Sequence, residues 1–191
     1  MNISIFVFVV LINTIASASN ILSVEVENYS TINVTLSNTS KGERLSLKDY
    51  SGTTLYDITL DGDLSYSKFF DFSEVEDGIY FVETETEFDV KITPVIKNSL
   101  GLSLIENSTV TVFKPNVSVH GGTVDILISK LDDSPVEVSI HDALGSVIYD
   151  EELGEETSVI KRTYNVESFP HGYYDIRFSV NDRVFVKEIK L

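Results

Sequence analysis

The side chains best suited to acid–base chemistry near neutral pH are His120, His141 and His171, each placed at a predicted turn beside Gly121, Asp142 and Gly172. Nucleophilic catalysis would need an activated partner for them, and the chain has neither a cysteine nor a Gly-x-Ser-x-Gly elbow. A metal site needs three or four converging ligands, and spacings of 21 and 30 residues between these histidines predict none. They are expected to be exposed turn residues. Two carboxylate pairs, Asp61-Gly62-Asp63 and Asp132-Asp133, offer hard oxygens to Ca²⁺, but neither continues into a D-x-D-x-D-G…E loop, so solvated loop charge is the expectation. A hydrolase would require two opposed carboxylates across a cleft. Tyr173 on a wet strand face, with Tyr29, Tyr50 and Tyr66 in predicted loops, could form a sugar platform only if they made a coplanar row. No residue set specifies an enzyme, and no metal or cofactor is expected.

The elements that carry these residues come in two similar runs. Leu47 to Asp57 matches Ile140 to Asp150, with Asp49, Gly52 and Tyr56 recurring as Asp142, Gly145 and Tyr149. Phe72 to Tyr80 matches Val166 to Tyr174, with Gly78-Ile79-Tyr80 recurring as Gly172-Tyr173-Tyr174. The offset is 93 at the aspartates and 94 at the glycines, which places a one-residue gain in a turn. A repeat of this period predicts two units of one kind in tandem. The shared Asp49, Gly52, Gly78, Asp142 and Gly145 are read as turn positions, with glycine supplying positive φ and aspartate accepting backbone N–H bonds.

Alternation with a period of two runs through Ile21–Val26, Ile32–Leu36, Val136–Ile140 and Tyr174–Val180, and no window sustains a helical period. Glu83 to Glu87 is read as an acidic hairpin tip, Asn98 to Asn107 as a link, and Asn181-Asp182 as the turn before a closing strand. The predicted fold is all-β: two tandem antiparallel immunoglobulin-like β-sandwich domains of about seven strands each, after an N-terminal signal peptide. Their expected bounds are 1–18 for the signal, 19–113 for the first repeat and 114–191 for the second.

Residues 1–18 carry no charged side chain and end in Ala16-Ser17-Ala18, an A-x-A cleavage pattern on an apolar run short for a membrane span. Retention as an anchor is the alternative. Export without a single cysteine means that the cores must hold without disulfides. Five Asn-x-Ser/Thr sequons, beginning at Asn28, Asn33, Asn38, Asn107 and Asn116, are read as by-products of an Asn/Ser/Thr-rich composition. The net charge of −16 falls on both halves, with 6 basic and 16 acidic residues in 19–113 and 8 and 14 in 114–191. Such a surface repels phosphate backbones and anionic headgroups, which excludes nucleic acid and direct membrane binding after signal removal.

The second run also resembles the C-terminal sorting domains of bacterial type IX secretion cargo (the Por secretion tail). The residues that carry the resemblance are Ile140, Asp142, Gly145 and Val147-Ile148, then Pro170, Gly172 and Tyr174, then Lys187 and Lys190 on the last strand. It covers about Pro115 to Leu191. The first run keeps Asp49, Gly52, Gly78 and Tyr80 but has Val75-Glu76-Asp77 in place of Phe169-Pro170-His171. The resemblance implies export through outer-membrane secretion machinery to the cell surface or medium, passing through the periplasm. Pro170, Gly172, Tyr174, Lys187 and Lys190 would then be recognition residues. The expectation is a non-enzymatic sorting, structural or adhesive module. The alternative is a carbohydrate- or calcium-dependent ligand-binding module whose partner is a cell-surface protein or glycan.

Overall fold

The computed structural model describes residues 20–154, 158–181 and 183–191, so the expected signal segment and Asp182 of the last predicted turn lie outside the described residues. All regular structure among the described residues is strand. In chain order the first nine strands are β1 (Ile21–Val26), β2 (Thr31–Ser37), β3 (Arg44–Asp49), β4 (Thr54–Thr59), β5 (Ser65–Asp71), β6 (Gly78–Glu85), β7 (Asp89–Asn98), β8 (Gly101–Leu104) and β9 (Val110–Phe113). Seven more follow: β10 (Asn116–His120), β11 (Thr123–Ser129), β12 (Val136–His141), β13 (Val147–Leu153), β14 (Val159–Asn165), β15 (Tyr173–Val180) and β16 (Arg183–Lys190).

The strands pair antiparallel into four sheets. In the first half a β1-β2-β5 sheet accompanies a β4-β3-β6-β7-β8 sheet, with β9 also pairing β7. In the second half the orders are β10-β11-β14 and β13-β12-β15-β16. Alternation explains each sandwich. Ile32, Val34 and Leu36 of β2 point inward against Leu45, Val82 and Val95 in one core. Val124, Ile126 and Ile128 of β11 meet Val138, Ile176 and Phe178 in the other. Each such side chain contributes about 1.5–3 kcal/mol by leaving water, which is how a chain without disulfides keeps two small cores. The β3–β4 and β12–β13 pairs also break register at the same place, between Leu47 and Lys48 and between Ile140 and His141. A bulge there twists the hairpin that each aspartate closes.

Three sequence expectations change. The first half has nine strands rather than about seven, because Asn98–Asn107 is no link: Gly101–Leu104 alternates and folds back on β7, setting Leu102 and Leu104 against the first core. Glu83 and Glu85 are not in a hairpin tip but inside β6, and only residues 86–88 turn. Gly78 is not a turn residue but the first of β6, paired with Lys97 and without positive φ.

The two cores meet. Ile92 of β7 and Val112 of β9 lie in the first half's sheet yet pack into the second core, and Pro115, on the segment from β9 to β10, is buried. Charge crosses the same seam. Glu83, almost wholly buried, accepts from Lys48 at 2.6 Å within its own sheet and from Arg183 at the start of β16.

Candidate recognition surface

Asp142 organises the β12–β13 loop with one carboxylate oxygen. Its Oδ1 accepts from the amides of Leu144 at 2.9 Å and Ser146 at 2.8 Å, while Gly145 N–H donates to the Asp142 carbonyl at 2.9 Å. Gly145 has φ 81° with open space around it, so backbone conformation alone selects glycine. Asp49 has the same role in the β3–β4 loop: Oδ1 accepts from Thr53 N–H at 2.9 Å and Ser51 Oγ at 2.6 Å, and Gly52 has φ 85°. The Ser51 hydroxyl, with the Thr53 and Ser51 amides, holds the Asp49 carboxyl below its ordinary range.

Tyr174 and Tyr80 anchor the next turn. Each ring is buried, and each hydroxyl donates to the carbonyl four residues back, Tyr174 to Pro170 at 2.7 Å and Tyr80 to Glu76 at 2.6 Å. A phenol whose body is apolar and whose tip reaches a carbonyl suits a strand that starts at a sandwich corner. The supporting ring differs. Tyr174 rests on Phe169, with centroids 5.6 Å apart, and Tyr80 on Phe72 at 5.1 Å. Gly172 exchanges two backbone bonds with Leu191, 3.1 and 3.0 Å, tying the turn to the end of β16. Pro170 is exposed.

The remaining two residues stand on β16, the edge of its sheet. Lys190 is exposed, paired across from Tyr173, and its ammonium lies 5.5 Å from that ring's centroid. Lys187 is half-buried on the opposite face and makes no ion pair among the described residues. Pro170, Gly172, Tyr174 and Lys190 therefore gather at one end of the sandwich, where β15 begins and β16 finishes. Lys187 lies three residues back along the edge.

The chemistry-bearing candidates do not converge. His120 and His171 are exposed as expected, but His141 is not: its Nε2 lies 2.9 Å from Ser139 Oγ and its Nδ1 3.2 Å from the Gly145 carbonyl. Because a carbonyl only accepts, Nδ1–H donates to it, and the His141 ring props the Asp142 loop. No group of three or more His, Cys, Asp or Glu among the described residues could hold a metal ion. Tyr66 is not in a loop but in β5, half-buried, with its hydroxyl 3.0 Å from that of Tyr56 and its pKa pushed up to about 12 by that bond and by burial.

Sequence reasoning missed two polar clusters. One is Lys48, Glu83 and Arg183, which beside Asp49, Tyr50 and Asn181 lines a shallow cavity of about 630 Å³ between the halves. The other is Glu151, which accepts from Arg162, Tyr149 and Tyr164 at 3.2, 3.1 and 3.0 Å. Burial opposes ionisation of Glu151, but those three donors win and its carboxyl is held low. The first cluster joins residues far apart in sequence, and in the second Arg162 and Tyr164 reach Glu151 from a different strand, so spacing carried no signal of either.

Residues 120–190 match the family profile described as "Secretion system C-terminal sorting domain". No curated protein matches the sequence. Among solved structures, the chain is similar to "Biofilm associated protein - BSP domain" at 11% identity and TM-score 0.30, over 89% of this chain and 29% of that one. It is also similar to "Human OSCAR ligand-binding domain" at 10% identity and TM-score 0.27, over 90% of this chain and 97% of that one. The chain thus spans under a third of the length of the first of these.

Proposed function

We propose that this is a non-enzymatic exported protein made of two copies of one β-sandwich unit, the second of which is a type IX sorting module. The first copy, residues 19–113, is the cargo, a structural or adhesive module delivered to the cell surface. The observation that carries the reading is the profile match over residues 120–190, which spans Asp142, Gly145, Pro170, Gly172, Tyr174, Lys187 and Lys190. Supporting it, Pro170, Gly172, Tyr174 and Lys190 lie at one end of the second sandwich. The first copy repeats the strand order and the aspartate-closed loop but lacks the proline and ends its equivalent strand beneath β8. Machinery that reads the terminal strand would therefore engage only the second copy.

The test is fractionation of the native host with and without Lys187–Leu191, with the truncated protein checked for folding by circular dichroism. The sorting reading expects the intact chain outside and the folded truncation in the periplasm. Equal distribution leaves only the structural role.

A second reading, sugar binding, rests on the cavity beside Tyr50, where hydroxyls could accept from Lys48 and Arg183 and donate to Asp49. Glycan-array binding lost in Tyr50→Ala would favour it.

A further inference from the structure

Corresponding strands of the two sandwiches meet different fates at their outer edges. Tyr80 pairs with Val95 and Tyr174 with Ile189, so β7 and β16 are equivalent with a constant offset. On β7 the edge is closed twice. β9 pairs with Asp89–Ile92, and β8 with Val95–Asn98. β8 also spans to the other sheet, through Leu102 N–H to the Tyr29 carbonyl at 3.1 Å and Tyr29 hydroxyl to the Ser99 carbonyl at 2.8 Å. On β16 nothing pairs with the outer edge among the described residues.

The side chains record the same difference. Val90 is 2% exposed, whereas Val184 in the same register is 66% exposed and Val186 beside it 51%. An eight-residue edge strand whose outer face shows two exposed valines is a template for strand addition, and the charge that keeps it from pairing indiscriminately, Lys187, stands half-buried on the inner register with Phe185 and Ile189. Its charge is also out of keeping with a chain of net −16: Arg183, Lys187 and Lys190 stand against Glu188 alone.

We propose that the open edge of β16 receives an extended strand from a protein of the secretion machinery, added antiparallel, as β9 and β8 are added to β7. The added strand presents β-branched side chains to Val184 and Val186 and carboxylates to Lys187 and Lys190. Main-chain bonds supply affinity, and the alternating side chains supply selectivity. This deepens the sorting reading and rests on it.

The test closes the edge with the protein's own device. Leu191 is the register equivalent of Lys97, so residues 98–113, which return as β8 and β9 on β7, are appended directly after Leu191. A Gly/Ser tail of the same length is the control. Hydrogen exchange on the purified fusion reports whether β16 amides become protected. Export of the closed fusion in the host is expected to fall about tenfold or more, the effect of an intramolecular strand favoured by ~1.4 kcal/mol, while the Gly/Ser fusion travels normally.

Normal export of a fusion whose β16 is protected, or equal retention of both fusions, overturns the proposal. If the graft does not protect β16, the double variant Val184→Lys/Val186→Lys carries the test: it keeps the pairing with β15, is expected to stay folded, and must be retained. Sedimentation equilibrium is expected to give a monomer, and a dimer abolished by the same double variant would name a second copy as the occupant and overturn the proposal. Normal export after removal of Lys187–Leu191 would instead overturn the sorting reading itself.

Discussion

Asp142 spends one carboxylate oxygen on two amides, and its loop is further braced by the His141 ring against the Gly145 carbonyl. Asp142→Ala leaves both amides to water in an exposed loop, so a loss of about 1–2 kcal/mol is expected by urea unfolding. Asp142→Asn, which keeps an acceptor, is expected to lose less. Thr84 is the reverse case. Its hydroxyl is fully buried with no hydrogen-bond partner among the described residues, so Thr84→Val is expected to raise stability by about 1 kcal/mol, and a lower urea midpoint would contradict this. Protonation adds a pH dependence with a definite sign. The carboxyls of Asp49, Asp71 and Asp132 are all held low, chiefly by the Ser51 hydroxyl, the Ser73 amide and the Ser134 amide respectively. A depressed folded pKa means a contribution present above the unfolded value of about 4 and lost as pH falls through the folded one. Thermal midpoints are therefore expected to be level from about pH 5 upward and to fall below about pH 4. At the alkaline end Tyr66, raised to about 12, adds stability that is complete below its unfolded pKa of about 10 and is lost as pH rises to the folded value. Tyr66→Phe is expected to flatten that limb.

At the scale of elements, the strands with clean alternation were legible, because half-buried sheets force a period of two; β2, β12 and β15 are examples. What was not legible has physical reasons. β8 is four residues long, and its pairing with β7 is a tertiary event that no local propensity announces. Glu83 reads as solvent charge in any sequence window, and only the arrival of Lys48 and Arg183 makes its burial tolerable. His141 sits next to a turn in sequence but on the strand side of a bulge, which rotates its ring beneath the loop. Among the repeat turn positions, the loops closed by Asp49 with Gly52 and by Asp142 with Gly145 were legible from turn chemistry, whereas the openness of the β16 edge was not, since β7 and β16 read alike. The closing strand is also structural. Removing Val184–Leu191 strips Ile189 and Phe185 from the second core and bares β15. Aggregation during purification is the expected outcome. A soluble truncation that melts cooperatively would contradict it.

For the molecule as a whole, the seam between the halves decides whether two sandwiches behave as one body. Ile92 and Val112 reach into the second core, and Arg183 crosses to a carboxylate that is nearly out of water. Arg183→Ala leaves Glu83 with Lys48 alone. The expected loss is about 2 kcal/mol, below the cost of breaking a fully buried pair because the Arg183 side chain is 28% exposed. A larger radius of gyration in small-angle scattering should accompany it, and an unchanged radius would mean that the apolar seam alone fixes the halves. Sorting sits at this scale too, since a module that addresses a protein must act on whatever precedes it. The most direct measurement is to append residues 114–191 to an unrelated, signal-bearing periplasmic carrier in the native host and to measure the fraction of carrier outside the outer membrane. Delivery of most of the carrier, lost when Lys187–Leu191 is removed, is the predicted result. A carrier that stays in the periplasm with the appended sandwich folded would contradict the account.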